Sequence, residues 1–323
     1  LGHNMFRFRF QQWAGMTAGE MLDFFDRHGV AVRRQVGNFD GQHASYALAP
    51  KRKVDGKTQR SANKQLFDNW RKVVAARVRQ QRNHPCVFMW ELDNEIVYIN
   101  SRNRGTLDIV EPEFEKALHV VQELDQQGRG VNTGGGRALM NQCMPVNGCH
   151  YEAAAHRHYP DAAYGLDPVW TGQSRKQPWP MALDKPIFLS EEYFASGMNP
   201  SRFAAVGGPV CFNGRAACGP AKGLLARMYS EGYRWQGLAG WHFWMAGGGA
   251  QYKVWKPVVA LVREWNTTFG GKDTVERTIM VRNDTRYADP ITLTWELVVG
   301  GKTVEKGSET LTIRPGHGEI VAV

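Results

Sequence analysis

The stretch that most constrains the fold is CVFMWEL, residues 86–92, with a long helical pattern before it and an abrupt polar ending after it. In residues 63–83, Leu66, Phe67, Trp70, Val73, Val74 and Val78 recur at helical spacing. His84-Pro85 stops that helix, because proline lacks a backbone donor and turns the residue before it away from helical geometry. The run that follows does not alternate as a half-exposed strand would. It is nearly continuous, which is the pattern of a parallel strand covered on both faces. Parallel strands need long crossovers, so the rest of the chain has to supply strands and helices in turn.

It does so. Residues 2–10 read as a strand, and TAGEMLDFFDRHG as a helix with Thr17 and Glu20 at capping-box spacing and Gly29 as its C-cap. Residues 30–36 form a second strand, and residues 37–62 a polar loop. Residues 112–128 read as a helix with Pro112 in its first turn. Short strands follow near Thr133, at 145–151, at 185–194 and at 237–245, with a helix over 221–235 between the last two. This alternation gives an α/β fold of (β/α)8 TIM-barrel type over residues 1–262. Only seven strands are visible, so the first is expected upstream of Leu1, where no initiating methionine stands. Beyond residue 263, alternating strands joined by Gly, Asn and Asp turns predict a small all-β, immunoglobulin-like sandwich over 263–323.

Composition narrows the function classes. The net charge is +9, but its densest stretch, Lys51 to Arg60, is mixed with Gly and Ser and reads as a solvated loop. No aromatic-interleaved basic module accompanies the charge, so no nucleic-acid partner is expected. No run of 18 apolar residues is present, so no membrane-spanning helix is expected. The five cysteines are odd in number and form no CxxC pair; no disulfide framework or metal site is implied, and Cys86 reads as a buried thiol. The histidines, including His156 and His158, form no metal pattern. Eleven tryptophans are many for 323 residues and fit either a core or a sugar-lined site.

Two strands end in acids at the edge where a barrel carries its chemistry. Glu95 follows MWELDN, and Glu191-Glu192 follow PIFLS. Facing carboxylates of this kind suit glycoside hydrolysis, in which one is the acid and the other the nucleophile.

The segment NHPCVFMWELDNE resembles the strand-four signature of glycoside hydrolase family 2, within clan A of the (β/α)8 hydrolases. Asn83, His84, Pro85, Trp90, Asn94 and Glu95 match it, while Asp93 stands where glycine is usual. The resemblance implies that Glu95 is the acid/base and that Asn94 bonds the sugar 2-hydroxyl. KPIFLSEEY resembles the nucleophile segment. Counting from Pro186 selects Glu191, matching the Glu-Tyr pair selects Glu192, and strand alternation lets one of them point inward; the count favours Glu191. GHNMFRF resembles strand two and makes Arg7 a residue near the nucleophile. NGCHYE places His150 and Tyr151 at the mouth, and GWHFW offers Trp241 and Trp244 as the floor of a sugar subsite. The resemblance implies a retaining β-glycosidase acting on a β-galactoside-like or polysaccharide substrate, without cofactor or metal. A non-catalytic carbohydrate-binding protein on a hydrolase scaffold is the alternative. The start of the chain carries no leader from which localisation is read; a periplasmic or extracellular setting is slightly favoured.

Overall fold

Seven parallel strands and five helices are described ahead of the C-terminal strands in the computed structural model, which describes residues 5–37, 39–96, 101, 104–135, 143–150, 185–192, 200–243, 255–266 and 268–323. Strands β1 (Met5–Phe8), β2 (Ala31–Gln35), β3 (Val87–Asn94) and β4 (Gly130–Gly134) form one sheet in chain order. Strands β5 (Asn147–His150), β6 (Ile187–Glu192) and β7 (Gly240–Phe243) form a second. The Val146 amide donates to the Val131 carbonyl at 3.3 Å, which brings the second sheet alongside the first at β4 and β5. The seven strands therefore follow one another in sequence order across the two sheets, as short, uncrossed connections favour.

The described helices are α1 (Ala18–His28), α2 (Lys64–Gln81), α3 (Leu107–Leu124), α4 (Pro200–Gly207) and α5 (Gly219–Trp235). The capping box on α1 forms as the sequence predicts: Thr17 Oγ1 accepts from the Glu20 amide, and Glu20 accepts from the Thr17 amide at 2.7 Å. Gly29 closes the helix in the left-handed region at φ 63°. Helix α3 differs from expectation. It begins at Leu107, and Pro112 lies inside it. The apolar stripe Val110, Phe114, Ala117, Leu118, Val121 extends ahead of the proline, and burying Val110 outweighs the single amide donor that Pro112 lacks. The loop over 37–62 is also more ordered than its composition suggests, with a 3₁₀ turn at Gly41–Ala47 and a hairpin of Arg52–Val54 with Lys57–Gln59.

Outward-facing strand residues Val32, Trp90, Leu92 and Val131 pack with Phe67, Trp70 and Val74 of α2 and with Phe114 and Val121 of α3. A second core joins Leu189 and Phe243 to Phe203 of α4 and to Leu225 and Tyr233 of α5. Cys86, Cys143, Cys211 and Cys218 are free thiols, Cys86 buried as expected.

The C-terminal part is all β. Strands β8 (Val258–Val262), β9 (Thr278–Asn283) and β12 (His317–Ala322) form an antiparallel sheet, and β10 (Ile291–Val299) pairs with β11 (Lys302–Leu311). Ile279, Val281, Leu293, Leu311, Ile313 and Val321 make a core between the two. Residues 258–262 were expected in the barrel. They pair with β9 from Val258↔Asn283 to Val262↔Ile279, so this sheet begins ahead of the expected boundary at 263.

Candidate active site

The inner face of the parallel strands is charged. Arg7 on β1 reaches Glu91 of β3 in bidentate fashion, with Nε donating to Oε2 at 3.0 Å and Nη2 to Oε1. Its Nη2 also donates to Asn94 Oδ1 at 2.7 Å, and its Nη1 pairs with Glu191 of β6. Arg33 on β2 pairs with Glu91 at 3.0 Å, donates to the Ser190 carbonyl at 2.9 Å, and lies over the Phe188 ring. All four charged groups are buried. Two guanidiniums balance two carboxylates, which is the condition under which buried charge is tolerated. Burial works against the Arg7 charge, yet Glu91 and Glu191 outweigh it and hold its pKa above the ordinary value.

Glu95 sits one residue past β3 with φ 59°, a left-handed conformation uncommon outside glycine. Its neighbours hold it there. The Glu95 amide donates to the Gly134 carbonyl at 2.6 Å, while the buried Asp93 carboxylate accepts from the Gly134 amide at 3.2 Å and the Ile96 amide at 3.0 Å. Asp93 thus ties the chain on both sides of Glu95 to the end of β4. A side chain at position 134 would meet the Asp93 carbonyl at 2.5 Å, so glycine is required for this approach.

The Glu95 carboxyl accepts or donates at 3.0 Å to Nδ1 of the buried His150, which also lies 3.8 Å from Glu191 Oε2. Glu95, His150 and Glu191 each offer an atom within 4.8 Å of the others. Partial burial pushes the Glu95 pKa up to about 7, with the Glu191 and Asp40 charges adding to the effect. His150 is driven the other way, well below 6.5, by burial and by Arg7, Arg33 and His242, so it is neutral. The triad has the donor set of a metal site, as do Asp23, Asp26 and His84. In the latter, Asp26 takes His84 Nδ1 and the Cys86 amide, both at 2.7 Å, as a clasp at the opposite end of β3.

Of the residues expected from sequence, Arg7, Asn94, Glu95, His150 and Glu191 come together. Trp241 does not join them. It pairs in register with Leu189, on the helix-facing side of the sheet, and packs against Tyr233 at 5.4 Å and Arg234 at 5.7 Å. Tyr151, Trp244 and the side chain of Glu192 lie outside the described residues.

The family description glycosyl hydrolases family 2, TIM barrel domain, matches residues 17–203, more than half of the chain. The chain belongs to this family. Among solved structures, this family 2 chain is similar to a Bacteroides uniformis beta-glucuronidase at 13% identity and a TM-score of 0.46, covering 100% of this chain and 41% of that one. A GH2 beta-galacturonidase from Eisenbergiella tayi bound to galacturonate gives 12% identity, a TM-score of 0.45 and coverages of 75% and 37%. An endo-1,4-beta-D-mannanase from Thermotoga petrophila gives 14%, 0.44, 73% and 71%. The chain therefore spans about two-fifths of the length of the first two. No curated protein matches it.

Sequence reasoning missed Glu91, Arg33, Asp40 and the anchoring role of Asp93. Asp40 bridges to Asn94 and pairs with Arg9 at 3.2 Å. A signal was present for the first two: Glu91 interrupts the run read as a doubly covered strand, and Arg33 lies within the strand read over 30–36. A charge in such a place needs a partner on a neighbouring strand.

Proposed function

We propose that this chain carries the catalytic part of a retaining β-glycosidase, with its seven parallel strands belonging to an eight-stranded barrel and an immunoglobulin-like sandwich after it. Glu95 is the acid/base and Glu191 the nucleophile. The observation that carries this reading is the approach of Glu95 and Glu191 to within 4.8 Å from strands far apart in sequence, close to the ~5–5.5 Å separation of retaining pairs. Their environments also differ. Glu191 is ion-paired with Arg7, while Glu95, its pKa pushed up to about 7, keeps a proton to donate.

In the first step Glu95 gives its proton to the glycosidic oxygen as Glu191 attacks the anomeric carbon. A glycosyl ester forms at Glu191 and its negative charge disappears. Glu95 then loses one of the charges that raised its pKa and takes a proton from the water that attacks the ester. Arg7 holds Glu191 and Asn94 in place, and the Asn94 Nδ2 group, which donates to Asp40 Oδ2 at 3.5 Å, has a second N–H to reach a sugar hydroxyl. Neutral His150 orients the Glu95 carboxyl. The substrate is a β-glycoside, of galactoside-like or polysaccharide type.

The test is intact-mass spectrometry after incubation with a panel of 2-deoxy-2-fluoro aryl glycosides, followed by peptide mapping. An adduct on Glu191 is expected. An adduct on Glu192 would reassign the nucleophile, and hydrolysis with inversion at the anomeric carbon would overturn the retaining mechanism.

A further inference from the structure

A cavity of about 690 Å³ lies between the loop after β2 and the turn that leads into α3. Both segments follow the C-terminal ends of their strands, so the cavity opens on the face that carries Glu95. Its lining includes Tyr46, Lys51, Arg60, Asn63, Arg104 and Thr106, and no carboxylate is among the described residues that line it. Lys51, Arg60 and Arg104 have no partner among the described residues.

The backbone adds to the positive potential. Asn63 and Thr106 are the N-cap residues of α2 and α3, each 18 residues long, so two helix N-termini converge on the cavity. Helix N-termini favour anions through their dipoles and unsatisfied amides. The walls are tied in place: the Asn63 amide donates to the Ala47 carbonyl at 2.8 Å, its side chain donates to the Tyr46 carbonyl at 3.1 Å, and the Ala49 amide donates to the Ser61 carbonyl at 2.9 Å. The Tyr46 side chain is left outside, 64% exposed. An exposed ring beside unpaired cations suits a ligand with both a flat apolar face and an anionic group.

We propose that this cavity binds an oxyanion, carboxylate or sulfate, carried by a glycan unit beyond the one that is cleaved, with Lys51, Arg60 and Arg104 taking the charge and Tyr46 stacking on a sugar. The unit is a separate one because the cavity shares no residue with the Arg7, Glu95, His150 and Glu191 cluster. From Asp40, which bridges to Asn94, the 3₁₀ turn carries the chain on to Tyr46 over roughly 12 Å at ~2 Å per residue. The substrate class that follows, an acidic polysaccharide, rests on the hydrolase reading, but binding does not require turnover.

The experiment measures binding by titration calorimetry on the full chain carrying Glu191→Gln. The probes are a uronate-containing oligosaccharide, a sulfated one, a neutral oligosaccharide of equal length, inorganic sulfate and a single-stranded oligonucleotide. Both acidic oligosaccharides, or one of them, bind at least tenfold more tightly than the neutral one, and which of the two does so identifies the anion. Inorganic sulfate competes. The triple variant Lys51→Gln, Arg60→Gln, Arg104→Gln loses that preference, as does Arg104→Gln alone in part. The triple variant Lys302→Gln, Lys306→Gln, Arg314→Gln removes the same charge elsewhere and keeps it. Equal binding of the neutral oligosaccharide, equal loss in the distant variant, or tighter binding of the oligonucleotide would overturn the proposal. Acidic glycan binding with no hydrolysis of any glycoside by the unmodified chain would overturn the hydrolase reading and leave this site standing.

Discussion

Replacing Glu191 by glutamine should lower the pKa of Glu95. The substitution keeps the volume and removes one negative charge, the same charge that formation of a glycosyl ester removes. Coulomb's law sets the scale. Two unit charges ~5 Å apart at an effective dielectric constant of ~20 repel by roughly 3 kcal/mol, or about two pH units. That is an upper bound here, because the Glu95 side chain is 23% exposed and Arg7 lies against Glu191. Burial, not Glu191, is the larger cause of the rise to about 7. A fall of about one unit is therefore expected, with Glu95 still above an ordinary glutamate. The measurement is a pH titration of carboxyl-labelled glutamates by carbon NMR, with the Glu95 signal assigned through Glu95→Gln. An unchanged pKa would refute the coupling of the two acids and with it the switch of Glu95 from acid to base. A pKa that fell to the ordinary glutamate value would refute burial as the main cause.

Four further outcomes follow from the same contacts. The Glu95 pKa is raised from 4.5 to about 7, so the folded chain binds more protons than the unfolded one in that window; stability is greatest below pH 4.5 on this account and falls by about 3 kcal/mol as pH rises through 7, a slope that Glu95→Gln removes in urea titrations at stepped pH. Hydrolysis measured as kcat/KM loses activity above about pH 7, because ionised Glu95 cannot donate. Asp93→Ala leaves the Gly134 and Ile96 amides without an acceptor and costs about 2–4 kcal/mol in chemical denaturation, with the Glu95 pKa shifted at the same time; stability without loss would show that the clasp is not needed. Thr17→Ala, remote from the site, costs about 1 kcal/mol by removing the capping box, and leaves the Glu95 titration unchanged.

Local rules made much of the fold legible. Thr17, Glu20 and Gly29 bracket α1 because capping is decided by a few adjacent residues, and the apolar run of β3 shows a strand covered on both faces. What stayed hidden depended on partners distant in sequence. Arg7, Arg33 and Glu91 look anomalous one at a time and are explained only when three strands bring them together. Lys51 and Arg60 read as solvated charges, because sequence does not show that a hairpin and two helix N-termini surround them, with Arg104 alongside. Trp241 shows the reverse error: the sequence offers it as part of a sugar floor, but its place opposite Leu189 in the ladder sends it to the helices.

The choice between Glu191 and Glu192 shows how one backbone irregularity changes what a pattern means. Phe188 lies under Arg33 on the inner face, Leu189 belongs to the helix-facing core, and Ser190 returns inward to within 3.4 Å of Asn132 Nδ2. Uniform alternation would then send Glu191 outward and Glu192 inward. The register does not stay uniform. Against β5, Leu189 opposes Cys149 and the next pair is Glu191 with His150; against β7, the pairing runs from Leu189↔Trp241 to Glu192↔Phe243. On both sides one extra residue is accommodated just past Leu189, and against β5 it is Ser190, which is a bulge. The parity of the strand is reversed there, and Glu191 follows Ser190 to the inner face, where Arg7 and His150 meet it. The count from Pro186 favours Glu191, but a regular pleat is not what turns it inward. The pleat is broken at the residue before, and a bulge at the mouth re-aims the carboxylate toward Glu95.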